Sequence, residues 1–266
     1  MNDTILVPVD FSEYSLQAAQ LAMNMGGRLQ KNIVFLHVTD NLKLRIGERV
    51  DLFQSQLAAW IGQGKASDAP FSLEIRAGVP EEQIKRYMQR HDPWMVVMGT
   101  RGKAKKIKDL VGSVTAEVLD GATIPVLAIP EQYTWQNLRA VKRVSYATSF
   151  TSDEGKFIRL LAEMLPQGHL ETLSFVHFRK AQDPCGTDDR KSVSDIVAEY
   201  FPNVNCEFRY EEFKDGFEED FSEFLAQDPS ELVVIKNSHR NVIRRTIHGG
   251  LAKRLAYDAE KPILVL

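Results

Sequence analysis

The feature that most limits what this chain can fold into is that it repeats itself. TILVPVD at Thr4–Asp10 is echoed by RAVKRVSYATSFTSDE at Arg139–Glu154. NIVFLHV at Asn32–Val38 is echoed by HLETLSFVHF at His169–Phe178, and His37 and His177 lie 140 positions apart. WMVVMGTRG lines up with ELVVIKNSHR, placing Gly99 against Lys236 at a spacing of 137, and IPVLAI lines up with KPILVL. FSLEIRAG at Phe71–Gly78 has its counterpart in NCEFRYEEF at Asn205–Phe213. A near-constant period of this length points to a duplicated unit.

Within each unit, short apolar runs alternate with segments of helical period. Ser12 can cap a helix over Ser12–Met25, where Leu16, Ala19 and Met23 recur at helical spacing and Gly26-Gly27 is expected to end it. Helices are also predicted around Glu48–Ile61, from Pro80 through PEEQIKRYMQRH, and over Ser113–Gly121. Several of the strands are continuously apolar, which indicates a parallel sheet covered on both faces. The expected fold is α/β: two tandem domains, residues 1–133 and 138–266, each an open five-stranded parallel sheet with helices on both faces. The boundary is expected in the polar, irregular segment near Glu131–Asn137.

The 266 residues suffice for two modest cores. A net charge of −3, with basic residues spread along the chain, gives no reason to expect nucleic acid or an anionic membrane as partner. MNDTILVPVD lacks a basic region followed by a long apolar one, and no apolar run approaches the roughly 20 residues of a membrane helix. Two cysteines, Cys185 and Cys206, cannot build a disulfide framework or a four-ligand zinc site, and His169 and His177 have no metal spacing with them. A soluble, cytoplasmic protein with reduced thiols is expected.

One stretch carries chemistry. MGTRGKAKKIKDLVGSV, Met98–Val114, leaves an apolar strand through Gly99 and Gly102 and enters a helix at Gly112-Ser113, with four lysines between. It is neither a GxxxxGK[ST] loop nor a GxGxxG fingerprint. Glycines allow close approach of the backbone, and a helix start offers unpaired N–H groups and a positive dipole end. In open parallel sheets ligands bind outside the carboxyl ends of the strands, so a phosphate-bearing ligand is expected here.

The stretch fits G-x2-G-x9-G-[ST], and with it the chain resembles the ATP-binding members of the universal stress protein family. ILVPVDFSEYS resembles that family's first strand and helix, and GATIPVLAIP its closing segment. The resemblance covers the first half and, more weakly, the second. It implies an ATP cleft at the carboxyl edge of the sheet. By position, Asp10 would contact the adenosine end, with Pro8 and Val9 on the same wall. Val38 would meet adenine through its backbone, with Met98 nearby. Gly99, Arg101, Gly102, Gly112, Ser113 and Val114 would surround the phosphates, and Mg²⁺ could arrive with the nucleotide. The family also implies antiparallel pairing of the last strands, PVLAI with PILVL, giving a pseudo-dimer in one chain; association of two such chains is left open.

The second half lacks this equipment. Gly99 becomes Lys236, Gly102 becomes His239, Asp10 becomes Ser149, and Gly249-Gly250 stands for Gly112-Ser113. ATP binding is therefore expected in the first half alone. Lys236, His239, Arg240, Arg244, Arg245 and His248 read as a solvated basic loop before they read as a second anion site. In EEFKDGFEEDFSEF, Phe213, Phe217, Phe221 and Phe224 read as the buried stripe of a helix. No catalytic set is present: no GxSxG, no HExxH, no triad context. The expectation is an ATP-binding regulatory protein of the stress response with an unidentified protein partner. A slow ATPase or self-phosphorylating protein, and a nucleotide-free scaffold, are the rival readings.

Overall fold

The computed structural model describes residues 3–39, 46–100, 113–130, 133–148, 154–166, 168–179, 189–212, 217–236 and 261–266. Strand β1 (Thr4–Pro8) is followed by helix α1 (Glu13–Leu29), which begins where expected: Ser12 is extended, and its hydroxyl accepts from the Ser15 N–H. The helix does not stop at Gly26-Gly27 but runs to a left-handed Gln30. The glycines serve packing instead. A β-carbon on Gly26 would stand 2.9 Å from the Lys31 carbonyl oxygen, and one on Gly27 would stand 2.3 Å from Cβ of Ser67. Then come β2 (Asn32–Thr39), α2 (Ile46–Gly62), β3 (Phe71–Ala77), α3 (Pro80–His91), β4 (Met95–Gly99), α4 (Ser113–Asp120) and β5 (Val126–Ile129).

The segment expected to be irregular contains a short helix, α5 (Trp135–Arg139). Thr134 and Asn137 form a reciprocal capping box, and Leu138 is fully buried. Trp135 lies under the Arg28 guanidinium of α1, whose Nη2 also donates to the Glu163 carbonyl at 2.6 Å. The connection is thus clamped to both halves. The second half follows as β6 (Arg143–Ala147), α6 (Glu154–Met164), β7 (Thr172–Arg179), α7 (Asp189–Tyr200), β8 (Asn205–Glu212), α8 (Phe217–Gln227), β9 (Leu232–Ile235) and β10 (Ile263–Val265). Glu211 and Glu212 belong to β8, as the strand expected over Asn205–Phe213 has them, and not to the helix read over the following phenylalanines. Phe221 and Phe224 of α8 are buried as expected, whereas Phe213 lies outside the described residues.

The described strands form one ten-stranded sheet in the order β3-β2-β1-β4-β5-β10-β9-β6-β7-β8. Each half is parallel throughout. The halves meet antiparallel where Ile263 faces Ala128, Leu264 faces Leu127 and Val265 faces Val126. Because side chains alternate across a strand, the sheet feeds two cores. Ile5 and Val7 join Phe53 and Leu57 of α2 and Ile158 of α6 on one face; Leu6 joins Ile84 of α3, Val118 of α4 and Phe221 of α8 on the other. Among the described residues no helix is long and apolar enough to cross a membrane.

Candidate functional site

In the first half β1 lies between β2 and β4, so the chain leaves β1 to one side and returns on the other. Such a switch of direction opens a crevice outside the carboxyl ends of β1 and β4. Pro8, Val9 and Asp10 leave β1 at this point, Met98 and Gly99 end β4, and Val38 stands one strand away near the end of β2. The fold therefore brings together the amino-terminal part of the expected site. Arg101, Gly102 and Gly112 lie outside the described residues, and of Ser113 only the backbone, opening α4, is described. Val114 is half-buried in the first turn of that helix.

The β1–α1 turn is held by its own polar groups. Phe11 takes a left-handed conformation, φ 59°, which reverses the chain. The Asp10 carboxylate accepts from the Ser12 N–H at 3.0 Å and from the Ser12 hydroxyl, while the Asp10 N–H donates to Ser15 Oγ at 3.3 Å. Asp10 here is a turn carboxylate at a helix start. His37 fastens the turn from beneath. Its Nδ1 lies 2.7 Å from the Val9 carbonyl oxygen, which can only accept, so Nδ1 carries the proton. Its ring packs 4.5 Å from that of Phe11.

The side chains of Val9 and Met98 are buried in opposite cores, at 3% and 4% exposure, so what they can turn toward a ligand is peptide backbone. Gly99 is demanded by the close passage of α1: a β-carbon would stand 2.9 Å from the Tyr14 carbonyl oxygen. The Gly99 carbonyl accepts from Thr115 Oγ1 at 2.9 Å, which ties the first turn of α4 to the end of β4. Sequence reasoning missed Phe11, Ser15 and Thr115. For His37 a signal existed, since a histidine recurs at the same place in both halves.

The second half preserves the frame and changes its contents. His177 Nδ1 donates to the Thr148 carbonyl at 3.0 Å, the counterpart of His37 on Val9. At the place of Gly99, Lys236 follows β9, and its N–H donates to the Ala147 carbonyl at 3.2 Å. Lys236 is not the solvated residue expected from its basic neighbours. Its side chain is 7% exposed, its Nζ lies 3.1 Å from Glu154 Oε1, and it stands 5.1 Å from the centre of the Phe157 ring. Glu154, the first residue of α6, also accepts from Thr148 Oγ1 at 2.6 Å and from the Tyr146 hydroxyl. Burial, with the Glu154 carboxylate beside it, pushes the Tyr146 phenol well above its ordinary range, keeping it a proton donor. Ser149, His239, Arg240, Arg244, Arg245, His248, Gly249 and Gly250 lie outside the described residues. Among the described residues no group of three or more His, Cys, Asp or Glu side chains is placed to hold a metal ion.

Residues 1–130 match the model of the universal stress protein family. One universal stress protein of Methanocaldococcus jannaschii is 25% identical over 47% of this chain and 80% of its own length. A second from the same organism is 23% identical over 48% of this chain and 95% of its own. A crystal structure of a universal stress protein from Archaeoglobus fulgidus covers 98% of this chain and 95% of that one, with 18% identity and a TM-score of 0.66, so the fold is shared over both halves.

Proposed function

We propose that this chain, whose first 130 residues match the model of the universal stress protein family, is an ATP-binding regulatory protein of the stress response that holds the nucleotide in its first half only. The domains assigned are residues 1–133 and 138–266. The observation that carries this reading is the contrast at one position. Where β4 ends in Gly99 no side chain stands, and the main chain of α1 passes where a β-carbon would clash; where β9 ends, Lys236 reaches Glu154 of α6. A second feature agrees. The first turns of α1, α2 and α3 each carry an acid, Glu13, Glu48, and Glu81 with Glu82, whereas that of α4 carries none. The dipole of α4 is left uncompensated by its own first turn, which suits a bound anion.

On this reading ATP binds across the ends of β1 and β4. Adenosine lies toward Pro8, Val9, Asp10, Val38 and Met98. The phosphates lie against Gly99, Arg101, Gly102, Gly112, Ser113 and Val114. The residues present fit the group, because its charge would meet backbone N–H groups and a helix start rather than a carboxylate cluster. The Asp10 carboxylate is already engaged with Ser12, so it would receive a ribose hydroxyl as a pre-oriented acceptor. Mg²⁺ would travel with the phosphates. Bound ATP stabilises the first half by mass action and so biases what a protein partner meets; at about 100 times the dissociation constant this amounts to about 2.7 kcal/mol. The cytoplasm is the assigned compartment, in keeping with a free Cys206.

Mass spectrometry of the denatured, freshly purified protein tests the reading, together with thermal melts in millimolar ATP. One ATP per chain is expected, or a rise in melting temperature, and either is lost in Gly102→Val. Neither nucleotide nor shift would favour the scaffold. Phosphate release that disappears in Gly102→Val would favour the ATPase.

A further inference from the structure

We propose that β3 is a self-association edge: two copies of this chain pair antiparallel through residues 73–77, about a two-fold axis at Ile75. In the described sheet β3 is terminal, with β2 its neighbour on one side. Its inward hydrogen bonds are set by parity. The Pro70 carbonyl accepts from Ile33 and the Gly78 N–H donates to Thr39, with the register running unbroken from Ile33–Phe71 to Thr39–Ala77. Alternation in a parallel ladder then turns the peptide groups of Ser72, Glu74 and Arg76 toward β2, and those of Phe71, Leu73, Ile75 and Ala77 outward. An edge of this kind is a template for a further strand.

The outward residues also carry the exposed apolar surface. Phe71, Ile75 and Val79 are 40%, 38% and 44% exposed, and with Leu52 of α2 they are the exposed large hydrophobic residues among the described ones. The opposite edge, β8, is dressed differently. Tyr210 there lies 5.1 Å and 4.9 Å from the guanidinium groups of Arg179 and Arg190, and Arg209 pairs with Glu211 at 2.9 Å. Both edges carry an ion pair, but of the two β3 alone exposes large hydrophobic residues among the described ones, Phe71 and Ile75.

A second copy is the occupant because the strand is complementary to itself. A two-fold axis at Ile75 sets Ile75 opposite Ile75 and Leu73 opposite Ala77. Both are pairs of outward-facing positions, as hydrogen-bonded pairs require. On the other face it sets Glu74 opposite Arg76, twice. Within one chain these two already pair at 2.7 Å, so the acid and base lie together on that face. Slipping the register by two residues would bring Glu74 against Glu74 or Arg76 against Arg76, and like charges directly opposite are destabilising. The same side chains therefore favour one register and oppose its neighbours. The contact is isologous and closes as a dimer rather than growing into a fibre.

Sedimentation of the full chain from about 1 µM to about 1 mM tests this. A concentration-dependent monomer–dimer equilibrium is expected. Ile75→Lys should abolish it, and Arg76→Glu should weaken it about fivefold or more. The double charge swap Glu74→Arg with Arg76→Glu should restore it. Ile75→Cys should give a covalent dimer on oxidation, since hydrogen-bonded antiparallel partners lie about 5.5 Å apart, within disulfide reach. Melting temperatures control for folding, and should Ile75→Lys fail to fold, the swap and the cysteine decide alone. A chain monomeric throughout, a dimer indifferent to Ile75→Lys, or a charge swap no better than Arg76→Glu would each overturn the proposal.

Discussion

The crevice of the first half and its counterpart in the second are built on the same backbone and filled in opposite ways. Both have a histidine on the second strand donating to the carbonyl after the first, and both bring the first and fourth strands side by side. In one, Gly99 lets the main chain of α1 come close. In the other, a long cation reaches to the carboxylate that begins α6. Lys236 and Glu154 satisfy each other's charge within the chain. A duplicated fold can thus keep its architecture while equivalent strand ends are packed differently. The sheet edges differ too: β3 exposes Phe71 and Ile75, whereas Tyr210 of β8 lies against the Arg179 and Arg190 guanidinium groups.

The largest effect should come from breaking the internal pair. Lys236→Met leaves Glu154 buried without its counter-charge, and chemical denaturation should show a loss of about 3–5 kcal/mol. Changing both residues, with Glu154→Leu, should recover only part of this, since the double change also removes the carboxylate that accepts from the Tyr146 and Thr148 hydroxyls. A loss below about 1 kcal/mol in Lys236→Met would mean that the second crevice is not held by charge at all.

In the first half the matching experiment is Gly99→Ala. Its added methyl meets the backbone of Tyr14 rather than a flexible side-chain end, so a cost of about 1–3 kcal/mol is expected in the same measurement. An unchanged denaturation midpoint would show that α1 can retreat, and that the glycine is kept for a ligand alone.

The shared histidines should behave alike. His37→Leu and His177→Leu each remove one donor from a backbone carbonyl, and each should cost about 1–2 kcal/mol. A large inequality would show that one turn is secured by other contacts. The smallest effect is a matter of rate. Burial pushes the Cys206 thiol up from its ordinary value, so its thiolate fraction near pH 8 is reduced. In a Cys185→Ser background, alkylation of Cys206 should run about tenfold slower in the native protein than in the unfolded one.

Much of this was legible in the chain itself. Hydrophobic runs broken by turn residues report strands, and Pro80 marked the start of α3, because these signals act within a few residues. The period located both halves, and the loss of Gly99, Gly102 and Asp10 from the second was readable by alignment. The misreadings share one cause. Gly26-Gly27 looked like a helix stop, yet the helix passes through and the glycines admit Lys31 and Ser67. Lys236 looked solvated among its basic neighbours, yet it is buried against a residue 82 positions away.

The order of apolar and polar residues determined an α/β chain of two similar units, with one glycine-bearing strand end and one without. Tertiary structure alone decided the antiparallel seam's register, the helix clamped between the halves, the engagement of Asp10 with Ser12, and the meeting of Lys236 with Glu154. Local propensity acts over a turn or a strand and is written in neighbouring residues. Close approach and charge pairing act through space, between residues whose proximity exists only once the sheet has formed.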